Sequence, residues 1–405
     1  GREQILRRAR GYAPLPVVHR RNESSSPADG ATVLAVGAHL KNSIALGGAD
    51  QTFLSQHIGD LETEKAYTAF RRVTADLQTL YEATPACIAA DAHPDYLSTK
   101  FAAELAAEGG LPLISVQHHV AHLLSCMAEN ELAAPVLGVS WDGTGYGPDG
   151  TIWGGEFFSV SETACDRVAH LRPFRLPGGD RAVKEPRRTA LGLLHELYGD
   201  AALDQKQLPL LREFSRNELA TLRSMLNRGV NSPLTSSAGR LFDAVAALMG
   251  LRQRSRFEGQ AAMALEFALH GIAGDQAYDF ELSDVQFERM ASAPHSKMVL
   301  DWAPMIEGIL ADLSCDLPAA EIALKFHNAL ADAIVFVAKW AGVERVALTG
   351  GCFQNRYLTE RAVRRLRQEG FRPYWHQRVP PNDGGIALGQ VMAARRELKR
   401  RSQCV

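Results

Sequence analysis

The 405-residue chain is long enough for two lobes with cores of their own. Its formal net charge of -2 gives no electrostatic case for nucleic-acid binding. No apolar run approaches a membrane span, no signal peptide is visible, and six scattered cysteines without a C-x-x-C pair argue against a zinc ribbon or a disulfide framework, which points to a reducing, cytoplasmic setting.

Residues 1–20, basic and then punctuated by proline, read as an end-piece, and residues 22–30 as a linker. A first α/β lobe then spans residues 31–133. Residues 32–37 form a buried strand ending in glycine, residues 38–43 a polar turn, and residues 44–47 the next strand. A hairpin with Gly37 and Lys41 at its tip offers backbone N–H groups and an ammonium to a phosphate or other anion, although Gly37 could serve the turn alone. Helices over 62–82 and 97–108 flank a strand at 87–91. Its polar exit loop carries His93 and Asp95 at the carboxyl end of the sheet, as functional groups or as turn-formers. A strand at 113–116 feeds the densest chemistry in the chain, Val116-Gln117-His118-His119-Val120-Ala121-His122.

A helix starting at these histidines puts His118 and His122 one turn apart on a shared face, the spacing with which two imidazoles grip one metal ion. His119 points about 100° away and is left for acid/base work or for packing.

The second lobe, 134–405, opens with a buried strand at 135–141. A glycine-rich turn follows, Asp142-Gly143-Thr144-Gly145-Tyr146-Gly147, and then a strand at 153–158. The small residues admit a phosphate, and Asp142 can hold a cation beside it. The same hairpin design in both halves suggests two related lobes with a nucleotide cleft between them. Residues 185–335 read as mostly helical. There Arg240, Asp243 and Glu258 sit among apolar neighbours, where charge needs a partner or a ligand. Residues 345–349 form a strand that Gly350-Gly351-Cys352-Phe353-Gln354-Asn355 turns into a helix, a place for a nucleotide against bare glycines. Asp383 opens the last helix, which can return to the first lobe. It serves either as N-cap or as the ligand that completes a mixed imidazole–carboxylate site with His118, His122 and Asp142, suited to Zn, Fe or Mn.

As an ordered set, residues 37–42, 58–62, 116–122, 142–147, 153–156, 176–180, 236–243, 258–262, 350–355 and 381–389 resemble the carbamoyltransferase domain of the HypF hydrogenase-maturation family, of one superfamily with the tRNA threonylcarbamoyl-adenosine transferases. The resemblance implies an α/β fold of the actin/sugar-kinase/Hsp70 type: two ribonuclease-H-like lobes with a large helical insertion. It implies one divalent metal (Zn or Fe, or else Mn or Mg) on His118, His122, Asp142 and Asp383. It implies ATP or carbamoyl-adenylate near Lys41, Gly143, Thr144, Gly145, Gly239, Asp243, Gly350, Gly351 and Asn355, with His119 as candidate acid/base. The implied activity passes a carbamoyl group, drawn from carbamoyl phosphate and ATP, from carbamoyl-adenylate to the C-terminal cysteine of HypE, ahead of the cyanide ligand of NiFe hydrogenase. On this reading residues 1–20 are the tail of an upstream adenylate-forming domain.

Three other readings compete. A tRNA acceptor is disfavoured by the charge, and a small-molecule hydroxyl would be the alternative acceptor. A small-molecule kinase on the same fold would rarely need two histidine ligands. A non-catalytic nucleotide-binding scaffold would not need four intact ligand positions.

Overall fold

The computed structural model describes residues 3–9, 11–13, 15–18, 30–204, 209–284 and 298–403; the expected linker, Gly30 excepted, lies outside the described residues. In the first lobe the elements run β1 (Pro16–Val18), β2 (Val33–Ala35), β3 (Ala45–Gly47), β4 (Gln51–Leu54), α1 (Glu64–Leu80), β5 (Cys87–Asp91), α2 (Leu97–Gly109), β6 (Leu113–Val116) and α3 (His118–Glu129). Thr63 caps α1 by accepting from the Ala66 N–H at 3.2 Å, and Phe70, Val73 and Leu77 recur on its buried face. The sheet order is β1-β4-β3-β2-β5-β6. β2, β3 and β4 are antiparallel, while β5 and β6 lie parallel to β2 and are reached through α1 and α2. Every residue of β5 is buried, as a central parallel strand covered on both faces requires.

The second lobe runs β7 (Val136–Tyr146), β8 (Ile152–Val160), β9 (Cys165–Leu171), β10 (Phe174–Arg175), α4 (Asp180–Lys184), α5 (Pro186–Tyr198), α6 (Arg216–Arg228), β11 (Leu234–Thr235), α7 (Ala238–Leu248), α8 (Gln260–Phe267), β12 (Glu281–Asp284), β13 (Met298–Asp301), α9 (Ala303–Ser314), α10 (Ala319–Ala341), β14 (Arg345–Thr349), α11 (Arg356–Gln368), β15 (Arg372–Trp375) and α12 (Ile386–Gln403). Its central order β9-β8-β7-β14-β15 repeats the first lobe's β4-β3-β2-β5-β6, with the same antiparallel and parallel senses. This is the two-lobed architecture of the actin/sugar-kinase type. The middle of the chain is less purely helical than its sequence suggests: β13 pairs in parallel with β9 and widens the second sheet, because Val299 and Leu300 are buried there. Among the described residues no helix is long and apolar enough to cross a membrane.

α12 packs Ile386, Ala387, Leu388, Val391 and Ala394 into the first lobe's core, with Val33, Ala35, Ala45, Leu54 and Ala89. α3 has apolar residues on two sides. Ala121 and Ala128 face that core, while Leu123, Leu124 and Met127 join Val136, Phe158 and Ala347 of the second lobe. Glycine makes the close crossing possible: a Cβ on Gly389 would lie 1.7 Å from the Ala121 carbonyl oxygen.

The N-terminal residues lie against this frame. β1 pairs antiparallel with β4. The Ile5 N–H donates to the Gln377 carbonyl at 3.0 Å and the buried Arg8 guanidinium to the Arg378 carbonyl at 3.1 Å. The Asn382 amide in turn donates to the Leu6 carbonyl at 3.2 Å, one residue before Asp383.

Candidate metal centre and nucleotide cleft

Gln117 caps α3, its side-chain oxygen accepting from the Val120 N–H at 3.0 Å. The helix then presents His118 and His122 on one face toward Asp142 in β7 and Asp383 before α12. One ligand atom from each of these four buried residues lies within 4.8 Å of all the others. Asp142 Oδ2 is 3.4 Å from His118 Nε2 and 3.2 Å from His122 Nε2; Asp383 Oδ1 is 3.7 Å from both. Two imidazole nitrogens and two carboxylate oxygens converging in a buried space fit a divalent cation, which would relieve the repulsion between the two acids.

The electrostatics agree. Burial alone would lower the proton affinity of His118, but Asp91, Asp142 and Asp383 hold it well above its ordinary value. A place that holds a proton this firmly also draws a cation. Burial raises both acids, yet hydrogen bonds from His118 and His122 bring Asp142 well below the carboxylate range. Asp383, with Asp142 beside it, stays above that range. Asp383 is available because it is not the cap: Asn382 Oδ1 takes the Gly384 N–H at 3.0 Å, leaving the neighbouring carboxylate to the site.

Sequence reasoning missed Asp91 as a site residue. It sits at the end of β5 and accepts from His118 Nδ1 at 2.7 Å, which directs Nε2 into the cluster. An acid at a strand's carboxyl end was visible, but its partner was not. The neighbouring His93 and Asp95 shape the exit loop instead: His93 stacks on Tyr96 with ring centroids 4.1 Å apart, and Asp95 pairs with Lys100 at 3.2 Å.

His119 is fully enclosed beside Gly145 and Trp153. Burial, helped by His118, lowers its proton affinity well below the usual range. The Gln117 amide lies 3.1 Å from Nδ1 and donates to it, since its oxygen is spent on the cap. The proton of His119 therefore resides on Nε2, which has no partner.

The glycine-rich segment is not a turn. β7 continues through it, and a register shift between Trp141 and Gly145 bulges Asp142, Gly143 and Thr144 out of the ladder. Bare glycines let neighbours close in: a Cβ on Gly145 would meet His119 at 2.4 Å, and one on Gly239 would meet the Gly143 Cα at 2.8 Å. Ser237 caps α7 and donates to the Asp142 carbonyl at 2.6 Å, fixing the bulge.

The remaining predicted residues fall into two groups. Gly350 and Gly351 lie against β7, where a Cβ on Gly351 would come 2.6 Å from Asp142 Oδ1, and the Gly351 N–H donates to that same oxygen at 3.1 Å. They open a 3-10 turn, not the α-helix expected from the sequence; α11 begins only after Asn355. Asn355 caps α11 through Oδ1, accepting from the Leu358 N–H at 2.8 Å, and its Nδ2 donates to His327 Nε2 at 2.9 Å, so both ends of its amide are engaged.

Lys41 reaches across from the first lobe and forms an ion pair with Glu258 of the second. Burial alone would lower its affinity for a proton, but Asp383, Glu258 and Asp142 raise it, so its charge is held in the field of the carboxylates of the candidate metal centre. Its loop is pinned to the approach of α12: Gly37 exchanges hydrogen bonds with the Gln390 amide at 2.8 and 3.1 Å, and Ser43 donates to the Gly384 carbonyl at 2.8 Å. Asp243, deep in α7, pairs with Arg240 at 3.0 Å, and burial pushes its carboxyl up to about 6.

Two family models match the chain. One is described as carbamoyltransferase, Kae1-like domain, second subdomain, and matches residues 138–390; the other, the HypF Kae1-like domain, matches residues 28–129. Carbamoyltransferase HypF of Synechocystis sp. is 40% identical over 406 residues, which cover 97% of this chain and 50% of that protein. A carbamoyltransferase HypF homolog of Cupriavidus necator is 37% identical over 375 residues, covering 91% of this chain and 93% of that one. A crystal structure of full-length HypF in the phosphate- and nucleotide-bound form superposes with a TM-score of 0.86 at 37% identity, covering 98% of this chain and 59% of that chain. The chain thus spans about half the length of the Synechocystis relative.

Proposed function

The chain belongs to the HypF Kae1-like carbamoyltransferase family, and on that premise we propose that it transfers a carbamoyl group from carbamoyl-adenylate to the C-terminal cysteine of HypE in the cytoplasm. In this reaction the thiol sulfur bonds to the carbamoyl carbon, the bond from that carbon to the phosphate oxygen breaks, AMP departs, and the thiol proton is lost. The observation that supports it best is one junction. Four buried ligand atoms within 4.8 Å of one another share Asp142 with the Gly351 N–H and face the Lys41 ammonium. An acyl-adenylate brings an anionic phosphate and a carbonyl whose oxygen gains charge as sulfur adds, and clustered cations and N–H donors suit both.

When bound to His118, His122, Asp142 and Asp383, a divalent ion would supply Lewis acidity and an anchor for oxygen. The chain's own groups do the rest in this reading. Lys41 trades its ion pair with Glu258 for the ligand's phosphate. Gly350 and Gly351 let one wall of the nucleotide space pack directly on Trp141 and Asp142 of β7 and bring the Gly351 N–H to the site, and Gly143, Thr144, Gly145, Gly239 and Asp243 border the same space. Asn355 fixes the far end of that wall through its cap. His119, neutral with its proton on Nε2, gives a hydrogen bond to the ligand when binding uncovers it.

The test is incubation of the metal-loaded protein with synthetic carbamoyl-adenylate and HypE, followed by mass spectrometry of the HypE C-terminal peptide. One added carbamoyl group on the terminal cysteine is expected. In the His118→Ala/His122→Ala double variant both the modification and the metal found by elemental analysis should disappear while the fold persists. An unmodified HypE peptide with the intact protein would overturn the reading.

A further inference from the structure

Arg240 is the third residue of α7 and stands among Leu241, Phe242, Ala244 and Val245, all buried. Its side chain is 5% exposed. Nη2 reaches Asp243 Oδ2 at 3.0 Å, one turn along the helix, while Nε and Nη1 are buried with no partner. A guanidinium with two dry N–H faces is costly unless something arrives to accept them. Apolar packing in α7 would be served better by leucine or methionine.

The surroundings indicate what arrives. A Cβ on Gly143 would sit 3.4 Å from Arg240 Nη2 and 3.7 Å from Glu258 Oε1, so the bulged backbone next to Asp142 leaves this wall bare. Glu258 is also the residue paired to Lys41 across the cleft. The thiol of Cys352, next to Gly351, feels Asp142, Arg240, Asp243 and Glu258 together. Arg240 therefore belongs to the same space as the metal-site carboxylates and the Gly-Gly wall.

We propose that Arg240 is a ligand-binding residue of the cleft, its Nε and Nη1 donating to the phosphoryl oxygens of the adenylate. The inference rests on the adenylate reading above. A guanidinium offers donors only, in a planar fork that matches paired phosphate oxygens; adenine and ribose present mixed donors and acceptors that would use it less well.

Calorimetric titration with AMP and with adenosine, on the intact protein and on Arg240→Gln, tests this. The variant should lose about 10- to 100-fold in AMP affinity and change adenosine affinity by less than about threefold. Equal losses for both probes, or no loss for either, would overturn the assignment of Arg240 while leaving the adenylate reading in place. An intact protein that binds neither probe would overturn both. If circular dichroism shows that Arg240→Gln does not fold, the double variant Arg240→Gln/Asp243→Asn, which removes both charges of the pair, takes its place under the same criteria.

Discussion

His118 is held at both ends of its ring. Asp91 fixes Nδ1 at 2.7 Å, and the opposite nitrogen thereby faces Asp142 and Asp383. Asp91→Asn keeps the size but weakens the acceptor, and metal affinity should fall about 10- to 100-fold in chelator competition. An unchanged affinity would mean that packing alone orients the ring. The histidine spacing was legible because one helical turn is a local property. Asp91 was not, because its partner lies 27 residues away and only the fold brings the two together.

A second histidine gives a pH signature. His327 Nδ1 donates to the Ala323 carbonyl at 2.7 Å, so Nε2 is free to accept from Asn355. Burial pushes this imidazole down to about 4, against the Ala323 carbonyl, which raises it. The unfolded chain takes up the proton near pH 6.5, the native one only near pH 4. The unfolded state thus binds more protons between these values, and the contribution to stability, whole above about pH 6.5, declines as the pH falls toward about 4. Urea titrations across this window should show a flatter decline in His327→Leu than in the parent. An identical slope would assign the effect to other groups.

The elements around α3 rely on close approach. Gly389 brings α12 against the Ala121 backbone, and Gly138 of β7 admits the Leu123 side chain, where a Cβ would fall 2.3 Å from that residue's terminal carbon. In Gly389→Ala the clash is with the Ala121 backbone, so one helix must shift. The expected cost is roughly 2–4 kcal/mol, or failure to fold. Gly138→Ala meets only a side chain and should cost about 1–2 kcal/mol. Urea midpoints compare the two, and equal costs would contradict the crossing. The sequence reading treated residues 142–147 as a turn because glycines commonly mark turns. Here they are small so that His119 and α7 can approach a continuing strand. Likewise Asp383 could not be told from an N-cap until Asn382 was seen to fill that role.

At the scale of the molecule, the repeated hairpin visible in the sequence corresponds to a repeated strand order, 3-2-1-4-5 in each lobe. What no local pattern shows is that the site draws on residues from Lys41 to Asp383. Among the described residues there is one His/Asp cluster of this kind. If the chain carries the transfer step of the proposed function and not the activation of carbamoyl phosphate, it should modify HypE when given carbamoyl-adenylate but yield little product from carbamoyl phosphate and ATP. Mass spectrometry of the HypE C-terminus under the two conditions decides this, and efficient product from carbamoyl phosphate and ATP would contradict it.

The placement of α12 also sets a timetable. Translation delivers the strands of the first sheet before the second lobe, yet Ile386, Leu388, Val391 and Ala394 of its core follow every strand of that lobe. On the ribosome that sheet must wait with part of one apolar face uncovered while the second lobe is being made. The candidate metal centre is completed late as well, since Asp383 emerges just before α12. Nascent chains stalled before residue 380 should be cleaved readily by protease within the first lobe, and chains released at full length should resist.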